Sequence, residues 1–185
     1  MSSFLEGFTT HLDRFVRRVD RFTDATGRGL AWLSLALAVT ICLVVLLRYG
    51  LGIGSIAVQE SATYLHASLF MLGAAFTLKQ GGHVRVDIFY RRFSERGRAW
   101  VNCIGSIVFL VPFCVFLVGI SWAFVAQSWQ ILEGSPDPGG IHGVFLLKTL
   151  IPLMAVILLI QCLAELGRNL LVLLEGPGLG RPDGG

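Results

Sequence analysis

Four stretches of this chain run for about twenty residues with almost no charge, and about 20 apolar residues are what a helix needs to cross a bilayer core. They cover roughly residues 30–47, 58–78, 100–124 and 144–163. Only Glu60, early in the second, and Lys148, early in the fourth, interrupt them. About a quarter of a typical soluble domain is charged. Here the share is 15%, against 54% hydrophobic residues and a mean hydropathy of +0.71. Lipid leaves unpaired backbone groups unsatisfied, so such runs fold as helices. The fold class expected is an all-α integral membrane protein with four transmembrane helices. Pro112 and Pro152 lie inside spans, where bilayer helices tolerate them. Trp32, Trp100, Trp122 and Trp129 fall near span ends, as an aromatic belt requires.

The basic residues separate cleanly. Arg14, Arg17, Arg18, Arg21 and Arg28 precede the first span, and Lys79, Arg85, Arg91, Arg92, Arg96 and Arg98 lie between the second and third. Arg168 and Arg181 follow the fourth, whereas the other two connections carry only Arg48 before Lys148. The positive-inside rule places both termini and the central connection in the cytoplasm. Residues 1–29 have Phe4, Leu5, Phe8, Leu12, Phe15, Val16, Val19 and Phe22 at three- and four-residue steps, with arginines opposite. This pattern predicts an amphipathic helix lying in the inner interface before the chain turns into span one. A second short amphipathic stretch sets Ile88, Phe89 and Phe93 against Arg91, Arg92 and Arg96. Arginines beside a bilayer read as headgroup anchors, so no nucleic-acid partner is expected. Residues 30–165 are expected to form the membrane domain and 166–185 a cytoplasmic tail, whose Gly/Pro-rich end from Gly176 predicts disorder. The first run starts only at Leu30 and has no small-residue cleavage site after it, so it reads as an uncleaved signal anchor.

Few residues could carry chemistry. Cys42, Cys103, Cys114 and Cys162 all sit in apolar runs without a CxxC pair or zinc spacing, and read as small buried residues. His66 is the one histidine within a span. A b-type haem takes two facing histidines, so a redox anchor of the cytochrome b kind is the alternative class and lacks its second ligand. Arg48 closes span one and Glu60 opens span two, at similar depth in a hairpin; they either pair or snorkel separately to water. The connection 129–140 is polar, rich in Pro and Gly and free of Lys and Arg. It reads as a tight acidic turn or as a docking edge through Glu133, Ser135 and Asp137. No nucleophile motif, catalytic carboxylate pair, phosphate loop or metal cluster is present, so neither enzymatic activity nor a cofactor is expected. Span two ends at Lys79-Gln80-Gly81-Gly82 and runs on as His83-Val84-Arg85-Val86-Asp87. In extended backbone, residues two apart face the same way, which would put His83, Arg85 and Asp87 on one polar edge.

Gly73-Ala74-Ala75 followed by Gly81-Gly82-His83-Val84-Arg85-Val86-Asp87 resembles the small membrane subunit of TRAP transporters, the tripartite ATP-independent periplasmic transporters. Arg48-Tyr49 closing span one and Glu60 opening span two agree with that family's pattern, as does the four-span topology. The resemblance covers roughly residues 30–165. Ala57 stands where the family often has tryptophan and Gln59 where a second acid is common, so Glu60 alone must serve. The resemblance implies an inner-membrane subunit that scaffolds a large transport subunit, with a periplasmic binding protein delivering an organic acid or similar solute. It implies that sodium coupling lies in the large subunit and not in this chain. It makes Arg48, Tyr49, Glu60, His83, Arg85 and Asp87 structural or assembly residues, with lipid and the large subunit as their surroundings.

Overall fold

The computed structural model describes residues 2–82 and 93–175, and every regular element among them is helical. Helix α1 runs Ser2–Val45 and continues into a π-helical turn, Leu46–Gly50. Helix α2 is Ile56–Lys79. Helix α3, Glu95–Gly105, joins α4, Val111–Gln130, through a second π-helical turn, Ser106–Leu110. Helix α5 is Val144–Glu175. Taken by length and apolarity, four helical stretches can cross a membrane: 7–50, 56–79, 95–130 and 144–174. All four expected spans are therefore present, each extended at one or both ends.

Helix α5 is the centre of the bundle. It packs on α1, α2, α3 and α4, while α1 and α2 also pack on each other. Its buried side is narrow: Ala155, Leu158, Gln161, Cys162, Ala164, Gly167 and Leu171. Small residues let neighbouring backbones approach closely, which is how helices associate where lipid is as apolar as leucine. A methyl group added at Gly167 would sit 3.0 Å from Leu12 Cδ1 and 3.2 Å from Val16 Cγ2, so α1 and α5 touch closely there. The π-helical turn before α4 widens the helix ahead of Pro112, whose ring would otherwise crowd the carbonyl four residues back.

The N-terminal segment departs from expectation. Instead of a separate interfacial helix that turns into span one, residues 2–45 form one continuous helix of 44 residues, about 66 Å long. The physical reason is that Gly27 and Gly29 lower helix propensity without breaking it, and packing compensates. Val16, Val19, Thr23 and Leu30 are buried on one side of α1, whereas Phe8, Phe15 and Phe22 are exposed. The valine row, not the phenylalanine row, holds this segment to the bundle. The second amphipathic stretch lies outside the described residues apart from Phe93 and Arg96, as does the tail from 176.

Two helix ends show how the chain leaves the bundle. At the end of α2, Gly82 N–H donates to Thr77 O at 2.9 Å and Gly81 N–H to Leu78 O at 3.0 Å. Gly81 has φ +65°, which completes a Schellman stop, the role the Gly81-Gly82 pair suggests. At the end of α4 the same pattern recurs: Glu133 N–H donates to Ser128 O at 3.0 Å and Leu132 N–H to Trp129 O at 3.3 Å. There the left-handed position is held by Leu132, at φ +45°. A branched residue pays about 1–2 kcal/mol for that conformation. Leu132→Gly is therefore expected to raise the thermal unfolding midpoint of the purified protein, and Gly81→Leu to lower it by a comparable free energy.

Candidate functional site

The loop between α4 and α5 folds back on the start of α2. Pro138 and Gly139, the latter at φ +81°, occupy the middle of a turn that Gly140 N–H closes onto Asp137 O at 3.0 Å. Ser135 N–H donates to Ile141 O at 3.1 Å and pinches the loop shut. Into this loop reaches Glu60, one turn inside α2. One carboxylate oxygen accepts from the Ser135 hydroxyl, and the other accepts from Ile141 N–H at 2.6 Å. The Ser135 hydroxyl also accepts from Asp137 N–H at 3.1 Å. Gly140 is the residue that makes the approach possible, because a Cβ there would lie 2.8 Å from Glu60 Oε1 and closer still to Ser135.

A second clasp lies beside it. Lys148, in the second turn of α5, donates to Glu133 at 2.5 Å and sits 4.1 Å from the centre of the Phe124 ring. Its Coulomb and cation–π contacts join α4, the loop and α5. Trp129 Nε1 donates to Thr149 Oγ1 at 2.8 Å, and its ring meets Phe145 edge-on at 4.7 Å. The hydrogen bond from Lys148 holds the Glu133 carboxyl below its ordinary 4.5.

At the opposite, basic end, a polar network fastens α1 to α5. Arg168 Nη2 donates to both oxygens of Asp20, at 3.0 and 2.8 Å, and Arg168 Nη1 donates to Glu165 at 2.8 Å. Gln161, fully buried, accepts from Thr23 Oγ1 at 2.7 Å and donates to Asp20 at 3.4 Å. Lys79, at the end of α2, donates to Asp24 at 2.5 Å and to the carbonyl of Asp20 at 3.2 Å. Asn102 on α3 donates to Asn169 on α5 at 3.2 Å. Four helices thus meet in one polar layer.

The structure brings some of the sequence-selected residues together and not others. Glu60 and Ser135 meet directly, and Glu133 is tied to Lys148 beside them. Asp137 stays exposed at the tip of the turn. Arg48 and Tyr49 fall on the exposed π-helical turn after α1, and no ion pair joins Arg48 to Glu60 among the described residues. Of the two arrangements open from sequence, Arg48 is the one free to snorkel, and Glu60 takes its partners from a loop far along the chain. His83, Arg85 and Asp87 lie outside the described residues. His66 is exposed at mid-length on α2, while His11 and His142 lie on the N-terminal part of α1 and in the loop, so these three do not form a facing pair. The described residues contain no cluster of three metal-ligating side chains. Sequence reading missed Asp20, Gln161 and Arg168. Its available signals were an acid among arginines and an amide inside the apolar run Leu-Ile-Gln-Cys-Leu.

These features define a class: a multi-pass helical membrane protein whose inter-helix ion pairs, among the described residues, are gathered at its two ends. The family model for the DctQ component of tripartite ATP-independent periplasmic transporters matches residues 37–171. The chain belongs to that family, a component of an inner-membrane transporter. Among curated proteins, and among solved structures, no match was found.

Two outcomes test the loop clasps. Glu60→Ala and Ser135→Ala should each destabilise the protein, Glu60→Ala by more, because it strips the acceptor from two donors, the Ser135 hydroxyl and Ile141 N–H, rather than one. In a double-mutant cycle read by thermal unfolding, the two losses should be clearly non-additive. For Glu133 the sign follows from its depressed pKa. Its contribution is complete above the ordinary 4.5 and is lost as pH falls through the lower folded value. Acidification through that window should weaken the wild type more than Glu133→Gln, measured as unfolding midpoint against pH.

Proposed function

We propose that this chain is the small permease subunit of a TRAP-type secondary transporter. It holds a large transport subunit in the bilayer during sodium-driven uptake of an organic acid or similar solute, which a periplasmic binding protein delivers. The observation that carries this reading is the family match across residues 37–171, which takes in the last nine residues of α1, all of α2, α3 and α4, and all but the last four residues of α5. The distribution of polarity supports a scaffold. Ion pairs lie at the two ends of the bundle, Asp20–Arg168 and Asp24–Lys79 at one and Glu133–Lys148 at the other. Sodium and solute sites are assigned to the partner subunit, and this chain takes no cofactor and catalyses no reaction.

The charge asymmetry orients the bundle with the basic end, and so both termini, in the cytoplasm. The α4–α5 loop then faces the periplasm, where a loaded binding protein arrives. Ser135 and Glu133 are engaged in holding the loop's shape, so contact with the binding protein falls to the exposed tip around Asp137. Arg48, Tyr49 and Glu60 act in assembly at the same end, with His83, Arg85 and Asp87 at the cytoplasmic exit of α2.

Uptake by proteoliposomes or cells supplied with the large subunit and the binding protein should require this chain and collapse without a sodium gradient. Undiminished uptake in its absence would overturn the reading. An Asp137→Cys variant in a background lacking Cys42 should react with a membrane-impermeant maleimide from outside the cell. Labelling only after lysis would reverse the orientation.

A further inference from the structure

The outward faces of the helices differ in kind. Along α1, the exposed residues between Trp32 and Val45 include Trp32, Leu35, Val39, Ile41 and Leu43, Trp32 at 74%, and the exposed Ser34 hydroxyl is satisfied by its own helix, donating to Ala31 O at 2.8 Å. Along α3 and α4 it is Ile104, Phe109, Phe113, Phe116 and Ile120, with Phe109 at 73%. Both surfaces match hydrocarbon. Helix α2 differs. Packed by α1 on one side and α5 on another, it leaves one narrow stripe open: Thr63, His66, Phe70 and Thr77, at steps of three, four and seven residues. Residues so spaced lie on one helix face. Three of the four are polar.

Depth makes the stripe significant. His66 lies ten residues from Ile56 and thirteen from Lys79, about 15 and 20 Å from the two ends of α2. Counted from the Glu60 and Lys79 layers it is about 9 and 20 Å away, inside the apolar zone. The Thr77 hydroxyl is satisfied by its own helix, donating to Gly73 O at 3.0 Å. The imidazole of His66 has no partner among the described residues. A neutral imidazole carries one donor and one acceptor, and lipid tails offer neither. Ionisable groups within spans accordingly face protein or a water-filled cavity rather than acyl chains. Glutamine or histidine side chains at such positions hydrogen-bond across to another helix.

We infer that the Thr63–His66–Phe70 face of α2 is the surface that docks the large transport subunit, and that His66 hydrogen-bonds to a polar side chain or free backbone carbonyl on one of its transmembrane helices. Phe70, 70% exposed, packs beside that bond. The α1 and α3–α4 faces are left to lipid. This assignment rests on the proposed role of the chain as a permease subunit and names the face through which that role is exercised.

Photo-crosslinking in intact membranes tests it, with the photoreactive residue at Phe70, and at Val39 or Phe113 as comparisons, alongside a tag that reports co-purification separately. The expected result is an adduct with the many-span partner from Phe70 and none from the other two. Co-purification of that partner with adducts only from Val39 or Phe113, or with Phe70 linked only to a second copy of this chain, overturns the docking face while leaving the subunit reading intact. Loss of co-purification in every form, wild type included, overturns both. His66→Leu should insert at the wild-type level but retain about three- to twentyfold less partner at limiting concentration, the range one interhelical hydrogen bond supplies. His66→Gln, which keeps a donor and an acceptor, should retain it. Unchanged retention in His66→Leu together with Phe70 adducts would keep the face and overturn the histidine's bond.

Discussion

A single buried amide fixes how this bundle is put together. Gln161 sits on the narrow side of α5, fully buried, with Thr23 donating to its oxygen and Asp20 accepting from its nitrogen. In lipid there is little gain from hiding apolar surface, so helices find one another through close packing and hydrogen bonds. An amide with no partner in such a place would cost the desolvation of both its polar ends. The register of α1 against α5 is therefore set where Thr23 and Asp20 can both reach Gln161. Once that register is fixed, Leu12 and Val16 fall on Gly167, and the Asp20 carboxylate falls on Arg168. Breaking the Asp20–Arg168 pair from one side would strand a partly buried charge, which costs more than the intact pair contributes.

The rest of the architecture follows from α5 being held in this way. Because α1 is one rigid helix from the N-terminal segment through its span, fastening it at the basic end fixes its far end too. Lys79 extends the same layer to α2 through Asp24, and Asn102 extends it to α3 through Asn169. At the loop end the constraint comes from the chain's own return. The α4–α5 loop is closed on itself, and Glu60 grips it from α2. Each helix pair is thus tied at or beyond the edge of the apolar zone, where charges cost least. The two layers are separated by small and apolar residues of α5, so neither has to place an ion near mid-bilayer.

How much of this could be read in the residues themselves depends on sequence separation. The spans were legible because a bilayer demands length and apolarity, and both are local properties. The stop after α2 was legible because Gly81-Gly82 supplies the left-handed residue that a Schellman end needs. The same stop after α4 was not, because Leu132 occupies a position that no leucine advertises. The continuity of α1 was hidden by two glycines and by an apolar pattern that mixed the phenylalanines with the valines, of which Val16 and Val19 do the packing. Helical wheels show which faces are apolar, but not which one a neighbour will cover. Glu60 was recognisable as an unusual acid at a span start. Its partners were not, since Ser135 and Ile141 lie 75 and 81 residues further on. The Asp20–Arg168 pair spans 148 residues, so an acid among arginines was visible but its partner was not.

The same distribution of satisfied groups bears on how such a bundle recognises anything. At its two ends, the side chains best placed to bind a partner are already spent on internal bonds: Ser135 and Glu133 in the loop, Lys79 and Arg168 in the basic layer. On the membrane-facing surfaces of α1 and of α3–α4, apolar side chains discriminate poorly between lipid and protein, because both offer the same dispersion contacts. Specific recognition within a bilayer needs a directional group whose alternative partner, acyl chain, cannot answer it. Helix α2 has such a group, His66, inside the apolar zone on its open stripe. A frame braced internally at both ends, with an unpartnered imidazole on an open helix face, can dock through a directional bond without having to deform. That combination suits the scaffold role proposed for the chain.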